Sequence, residues 1–302
     1  MNELPVLPQR QADGHKGTFG TVCVVGGQVK PPNVMLGAPT LAAMSALRTG
    51  TGLAVLALPE PLVPVALSIV PSAIGLSLPV DKYGLLEAGP AAELILKQSA
   101  QYSCLAVGPG LGVGRLQQRL LSQIIKKVEQ PLVIDADGLN NLAESTKILS
   151  KLPPNTILTP HVGEFLRLAK ALKLKAEPED PKQRLTAAHA LASKLNCVVV
   201  LKGSSTAVSD GQKKWEIEGN AVLGTAGSGD VLTGIISGLI AQFGPAAGKA
   251  LDMYECACLG VYIHSLAAAN WSARYGNAGM LATDLPAEIP TVLDTLRQQK
   301  AS

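Results

Sequence analysis

Short β-branched runs recur along most of this chain, each closed by glycine or a polar turn and followed by an Ala/Leu-rich stretch. Thr21-Val22-Cys23-Val24-Val25 ends in Gly26-Gly27 and precedes a helical pattern from Leu36 to Leu47. Runs at Leu53–Leu58, Cys104–Val107, Leu132–Ile134, Thr156–Leu158 and Cys197–Leu201 repeat the motif. Helical patterns fall over 115–128, 162–172, 183–195, 229–243, 246–270 and 284–298. A strand that is apolar on both faces needs cover on both sides, which alternating helices supply. The chain is therefore expected to be α/β, a largely parallel central sheet flanked by helices. Asp210-Gly211 between two short strand patterns predicts a hairpin. Residues 171–183, charged and holding Pro178 and Pro181, read as a solvated connector inside one domain.

Charged residues make up 16% of the 302, below the usual ~25%. With 47% hydrophobic residues this excludes disorder. A net charge of +3 without a basic cluster argues against nucleic acid as partner. Five cysteines without zinc spacing in a chain this long point to a reduced, cytoplasmic setting. Two uncharged stretches, 61–80 and 231–248, are long enough for a membrane span. Pro61, Pro64, Pro71 and Pro79 interrupt the first, and Gln242, Gly244 and Pro245 the second. Both are expected to be buried core helix, with Gly234 and Gly238 at GxxxG spacing.

The segment most suggestive of chemistry runs from Gly219 to Gly234, where small residues lead to Asp230 and then to an apolar helix. A helix start offers unpaired N–H groups and a positive dipole end, and glycines let an anion approach them. Gly227, Ser228 and Gly229 thus predict a phosphate cradle. A carboxylate beside a phosphate is unfavourable unless it takes a proton or meets a cation, which makes Asp230 a candidate base. The plain alternative is an N-cap or first-turn aspartate. His161 and Glu164 open a helix after a strand, as ligand or as structure. Lys202, after another strand, can meet phosphate charge, with Ser205 and Thr206 donating hydrogen bonds, or it can sit in a simple turn. Asp135 and Asp137 could hold Mg²⁺ or cap the next helix. Gly244–Ala250 falls one residue short of a P-loop and lacks its final Ser or Thr.

Taken in order, these strings resemble the ADP/ATP-dependent NAD(P)H-hydrate dehydratases of the ribokinase-like superfamily. The ordered set comprises Gly14-His15-Lys16-Gly17, Val24-Val25-Gly26-Gly27, Gly37-Ala38-Pro39, Gly108-Pro109-Gly110-Leu111-Gly112, Asp135-Ala136-Asp137, Thr159-Pro160-His161-Val162-Gly163-Glu164, Lys202-Gly203 and Gly227-Ser228-Gly229-Asp230. Val222 and Gly224 depart from the family pattern, which expects Gly and Ala there. The resemblance covers about 14–290 of a single expected domain, 1–302, and implies a ribokinase-like three-layer sandwich. It implies that water is removed from hydrated NADH or NADPH with ADP or ATP as phosphate donor, ADP being the bacterial habit. It implies that Ala38, Gly112, His161 and Asp230 contact the hydrate. Lys202, Gly203, Ser204, Ser205, Thr206 and Gly229 would hold the nucleotide. Mg²⁺ would neutralise the phosphates, with Glu164 matching a metal-linked position. By the same resemblance the chain forms a homotetramer or other homo-oligomer. Many relatives carry an N-terminal epimerase domain; only about twenty residues precede the first strand here. That activity is expected from a separate partner enzyme.

Two other readings remain open at this point. A vitamin-precursor or sugar kinase of the same superfamily would share the cradle and Asp230 but release a stable phosphorylated product. A nucleotide-sensing module would bind without turnover, and would gain by losing the negative charge of Asp230.

Overall fold

A computed structural model of the chain describes residues 4–30, 33–245 and 250–298. From the N-terminus come β1 (Thr21–Val25), β2 (Gln28–Lys30), β3 (Asn33–Met35), α1 (Gly37–Thr49), β4 (Leu53–Pro59), α2 (Val63–Ile69), β5 (Ile74–Leu78) and α3 (Ala88–Gln98). The middle holds β6 (Cys104–Val107), α4 (Arg115–Lys127), β7 (Leu132–Ile134), α5 (Asp137–Ala143), α6 (Thr146–Leu149), β8 (Thr156–Leu158), α7 (Val162–Ala171) and α8 (Arg184–Leu195). The last third contains β9 (Val198–Leu201), β10 (Ser205–Ser209), β11 (Lys214–Glu218), α9 (Ser228–Phe243), α10 (Met253–Tyr275) and α11 (Leu285–Gln298).

Nine strands form one sheet in the order β11-β10-β9-β8-β7-β6-β1-β4-β5. Pairing is parallel from β9 to β5 and antiparallel in the β9–β10–β11 edge. Side chains alternate across each strand, so β1 serves both layers. Cys23 and Val25 pack with buried residues of α3 to α8, and Val22 and Val24 with α1 and α2. Cys104, Val133 and Ile157 complete the second face against α9, α10 and α11. The result is the three-layer sandwich expected. The chain runs outward from β1 through β4 and β5, then returns to β6 and runs outward the other way. Loops that follow β1 and β6 diverge at this reversal, where open α/β sheets bind ligands. They also interlock: Gly27 N–H donates to the Pro109 carbonyl at 3.0 Å.

Helix α9 is mostly apolar and buried from Val231 to Phe243. Its GxxxG glycines face α1. A side chain at Gly234 would overlap the Ala42 carbonyl, and one at Gly238 would lie 3.1 Å from that of Ala46. Among the described residues no helix is long and apolar enough to cross a membrane. All five cysteines are free and buried.

Two expectations are corrected. Residues 61–80 do not form one buried helix: the four prolines cut them into short α2 and strand β5. The helix expected over 246–270 begins at Met253, where Asp252 and Glu255 form a capping box. Residues 246–249 of that expectation, and of the P-loop look-alike, lie outside the described residues.

Candidate active site

Strand β7 delivers Asp135 to the edge of the sheet, 1% exposed. Ala136 then takes φ 51° and ψ −119°, a conformation usual for glycine at the first central position of a II′ turn. Gly138 N–H closes that turn on the Asp135 carbonyl at 2.9 Å. The turn leaves the Asp135 carboxylate pointing across the sheet. Its Oδ1 accepts from Lys202 Nζ at 2.8 Å, and its Oδ2 accepts from Thr233 Oγ1 at 2.7 Å. One carboxylate thus ties β7 to the end of β9 and to the first turns of α9.

Lys202 stands just past β9, its N–H on the Pro160 carbonyl at 2.8 Å. Burial pulls its pKa down. The carboxylates of Asp135, Glu164 and Asp230 more than reverse this, so the ammonium is held. Its Nζ lies 3.1 Å from where a side chain at Gly229 would begin. The amine and the helix start therefore share one anion-sized space.

His161 is the N-cap of α7. Its Nδ1 accepts from Gly163 N–H at 3.0 Å, while Glu164 Oε2 accepts from His161 N–H at 2.7 Å. This capping box uses the histidine as a structural group, yet leaves its half-exposed ring on the cleft wall. Burial, Lys202 and Arg167 lower its pKa. Glu164 is buried, which pushes its carboxyl up to about 7.

Asp230 is not a helix cap. Gly227, at φ 93°, occupies the N-cap without a side-chain bond, and Asp230 is the third residue of α9. Burial foremost, then the charge of Asp135, raises it to about 7; Lys202 pulls the other way, and Glu164 and Asp137 add to the rise. A carboxyl balanced near neutrality suits a general base.

A cleft of about 660 Å³ opens beside this cluster. Lys202, Gly203, Ser204, Thr206, Ser228 and Gly229 line it as one wall, with His161 at its edge. Ser205 and Gly227 do not line it. The Ser205 hydroxyl accepts from Arg184 Nη1 at 3.1 Å, and Gly227 turns the chain into α9 against Leu41 and Ala282. Ala38 and Gly112 lie apart from the cleft. Gly112 N–H donates to Asp137 Oδ2 at 2.8 Å, and Gln28 fills the space a side chain at Gly112 would need. Ala38, at the start of α1, neighbours Gly110 of the same loop. The charge of Asp137 adds to the rise of Asp230, which lies beside the cleft and does not line it.

Sequence reasoning named Asp135 as a metal ligand or a cap but missed its partners: the N-cap of α5 is Ala136, and Asp135 accepts from Lys202 and Thr233. Two further residues were missed outright. Arg184 falls in the helix pattern expected over 183–195, where nothing marks it as buried; it is 4% exposed, and donates to the Pro178 carbonyl at 3.2 Å. His264, inside apolar α10, reaches the cleft wall, its Nε2 unpartnered and its pKa lowered by burial to about 4.

Among the described residues no three His, Cys, Asp or Glu side chains converge as a metal cage. Asp135, Glu164 and Asp230 nonetheless act together on a single ammonium, which leaves an excess of negative charge. Such a donor set suits a divalent cation that arrives with a nucleotide's phosphates and keeps most of its waters.

The architecture is that of the ribokinase-like class. It is similar to a ribokinase-like superfamily protein from Enterococcus faecalis V583, with TM-score 0.79 at 24% identity over 96% of this chain and 92% of that one. The ADP/ATP-dependent NAD(P)H-hydrate dehydratase of Bacillus subtilis, co-crystallised with ATP/Mg²⁺, gives TM-score 0.76 at 28% identity, covering 96% and 95%. A family model described as NAD(P)H-hydrate dehydratase matches residues 22–291, and the chain belongs to that family. The ADP-dependent (S)-NAD(P)H-hydrate dehydratase of Neisseria meningitidis serogroup B is 33% identical over 97% of this chain and 90% of its own length. The bifunctional NAD(P)H-hydrate repair enzyme of Moorella thermoacetica is 37% identical over 97% of this chain. The chain spans about half the length of such bifunctional relatives, 53% in that case.

Proposed function

We propose that the chain removes water from hydrated NADH or NADPH, consuming ADP and yielding AMP and phosphate. The observation that carries this reading is Asp230 held near pKa 7 where the glycine-opened start of α9 meets Lys202. Hydroxide is a poor leaving group, and phosphorylation converts the ring hydroxyl into a better one. Asp230 takes the hydroxyl proton as the oxygen bonds to the transferring phosphorus and the bond to the nucleotide's bridging oxygen breaks. The amides at Gly227–Gly229 and the Lys202 ammonium bear the charge of that phosphoryl group. The ring nitrogen lone pair then expels phosphate as the ring C–O bond breaks. Loss of a proton from the neighbouring carbon restores the double bond.

Lys202, Gly203, Ser204 and Thr206 hold the nucleotide in this reading, with Ser205 acting from behind the loop. Ala38, Gly112 and His161 frame the hydrate. When bound, Mg²⁺ would neutralise nucleotide phosphates, with Glu164 the carboxylate available to it. We also propose that the chain works as a homo-oligomer and alongside an epimerase activity; the bifunctional names of its relatives support that pairing.

Incubation of chemically prepared hydrate with ADP tests the reading. Reduced-nicotinamide absorbance should return with one phosphate released per cofactor restored. A stable phosphorylated product would favour the kinase reading, and no turnover the sensing module.

A further inference from the structure

We propose that Arg184 is a positioning residue for nucleotide binding, which shapes the 202–206 loop and lends it positive charge from behind. The proposal rests on the reading of the cleft as a nucleotide site.

Arg184 opens α8 and is 4% exposed. Its Nη1 donates to Ser204 Oγ at 2.9 Å, Ser205 Oγ at 3.1 Å and the Ser205 carbonyl at 3.3 Å. Its Nε donates to the Pro178 carbonyl at 3.2 Å. The guanidinium also lies against Gly203: a side chain there would begin 2.8 Å from Cζ. One guanidinium thus touches three successive residues of the loop, of which Gly203 and Ser204 line the cleft. Gly203 has to lack a side chain for this packing.

The charge is the more telling part. None of the ion pairs among the described residues includes Arg184. A buried cation without a carboxylate is costly. A cation at the first residue of a helix also opposes the helix dipole. Neutral hydroxyls and carbonyls satisfy its hydrogen bonds but do not neutralise it. A position so poor for stability alone is explained if an anion occupies the cleft on the other side of the loop. A nucleoside diphosphate is such an anion.

The test is titration calorimetry of the full chain with ADP and, separately, inorganic pyrophosphate, for wild type, Arg184→Met and Arg184→Lys. Arg184→Met should weaken ADP by about tenfold or more, the scale of a lost charge-assisted contact. Its KM for ADP should rise in step, with kcat and the KM for hydrate within about twofold of wild type. Arg184→Lys, which keeps the charge but not the fork, should recover part of the loss. Should Arg184→Met fail to fold, Arg184→Lys decides, with ADP weakened severalfold expected. Folded variants that bind ADP as wild type does would overturn the proposal, as would a fall in kcat with unchanged ADP affinity. If wild type ignores ADP but binds pyrophosphate in an Arg184-dependent way, the nucleotide reading fails and the anion role stands. If wild type binds neither, both fail.

Discussion

Asp230, Glu164 and His264 are titratable groups that burial moves away from their ordinary values, and the signs differ. Asp230 and Glu164 rise from 3.8 and 4.5 to about 7. Stability associated with their neutral forms is full below about pH 4 and is lost as pH rises through 7. His264 falls from 6.5 to about 4. Its contribution is full above 6.5 and is lost as pH falls toward 4. Asp230→Asn should therefore raise Tm at pH 8 more than at pH 5; roughly 2–4 °C corresponds to about 1 kcal/mol in a chain of this size. Equal shifts at both pH values, read by calorimetry, would contradict the raised pKa. In turnover the same carboxyl must be ionised to accept a proton, so kcat/KM should fall as pH drops below about 7. Lys202→Ala removes both the proposed phosphate cation and the partner of buried Asp135. It should weaken ADP binding and cost about 3 kcal/mol of stability; unchanged ADP affinity by calorimetry would remove Lys202 from the site.

At the scale of elements, the site depends on how closely α9 approaches α1. Gly234 lies one turn beyond Asp230, and a methyl group there has a backbone carbonyl in its way. Gly234→Ala should cost about 1–3 kcal/mol through overpacking and lower kcat by displacing Asp230. Gly238→Ala has 3.1 Å to its nearest carbonyl and should cost less. The reverse order in chemical denaturation would show that this packing does not set the helix. The buried strands β1, β6, β7, β8 and β9 were legible because their apolar runs end at glycine or a polar turn. Strand β5 was not, since Ile74–Leu78 follows a proline-broken segment with no helix pattern to frame it. The start of α10 was misplaced because alanines before it look helical, whereas the Asp252–Glu255 box sets the boundary.

Over the whole molecule, sequence strings far apart meet on one edge because seven parallel strands end there. That convergence made Asp230, Lys202, His161 and Glu164 legible as a set. What stayed hidden were partnerships that depend on three-dimensional placement. Asp135 reaches Lys202 across 67 residues and Thr233 across 98. Arg184 reaches the cleft loop from the first turn of α8, where a charged residue reads as surface. His161 was legible as a candidate site residue but not as the cap of α7, so in this account its loss combines a binding defect with about 1 kcal/mol of destabilisation.

The most direct measurement is the rate at which Asp230→Asn restores reduced-nicotinamide absorbance from hydrate with ADP, beside wild type. Asparagine keeps the shape and hydrogen-bonding capacity but cannot take the hydroxyl proton. The account predicts a folded protein that binds ADP at least as tightly as wild type and turns over roughly 10²–10⁴ times more slowly. A folded Asp230→Asn protein that dehydrates at close to the wild-type rate would contradict it.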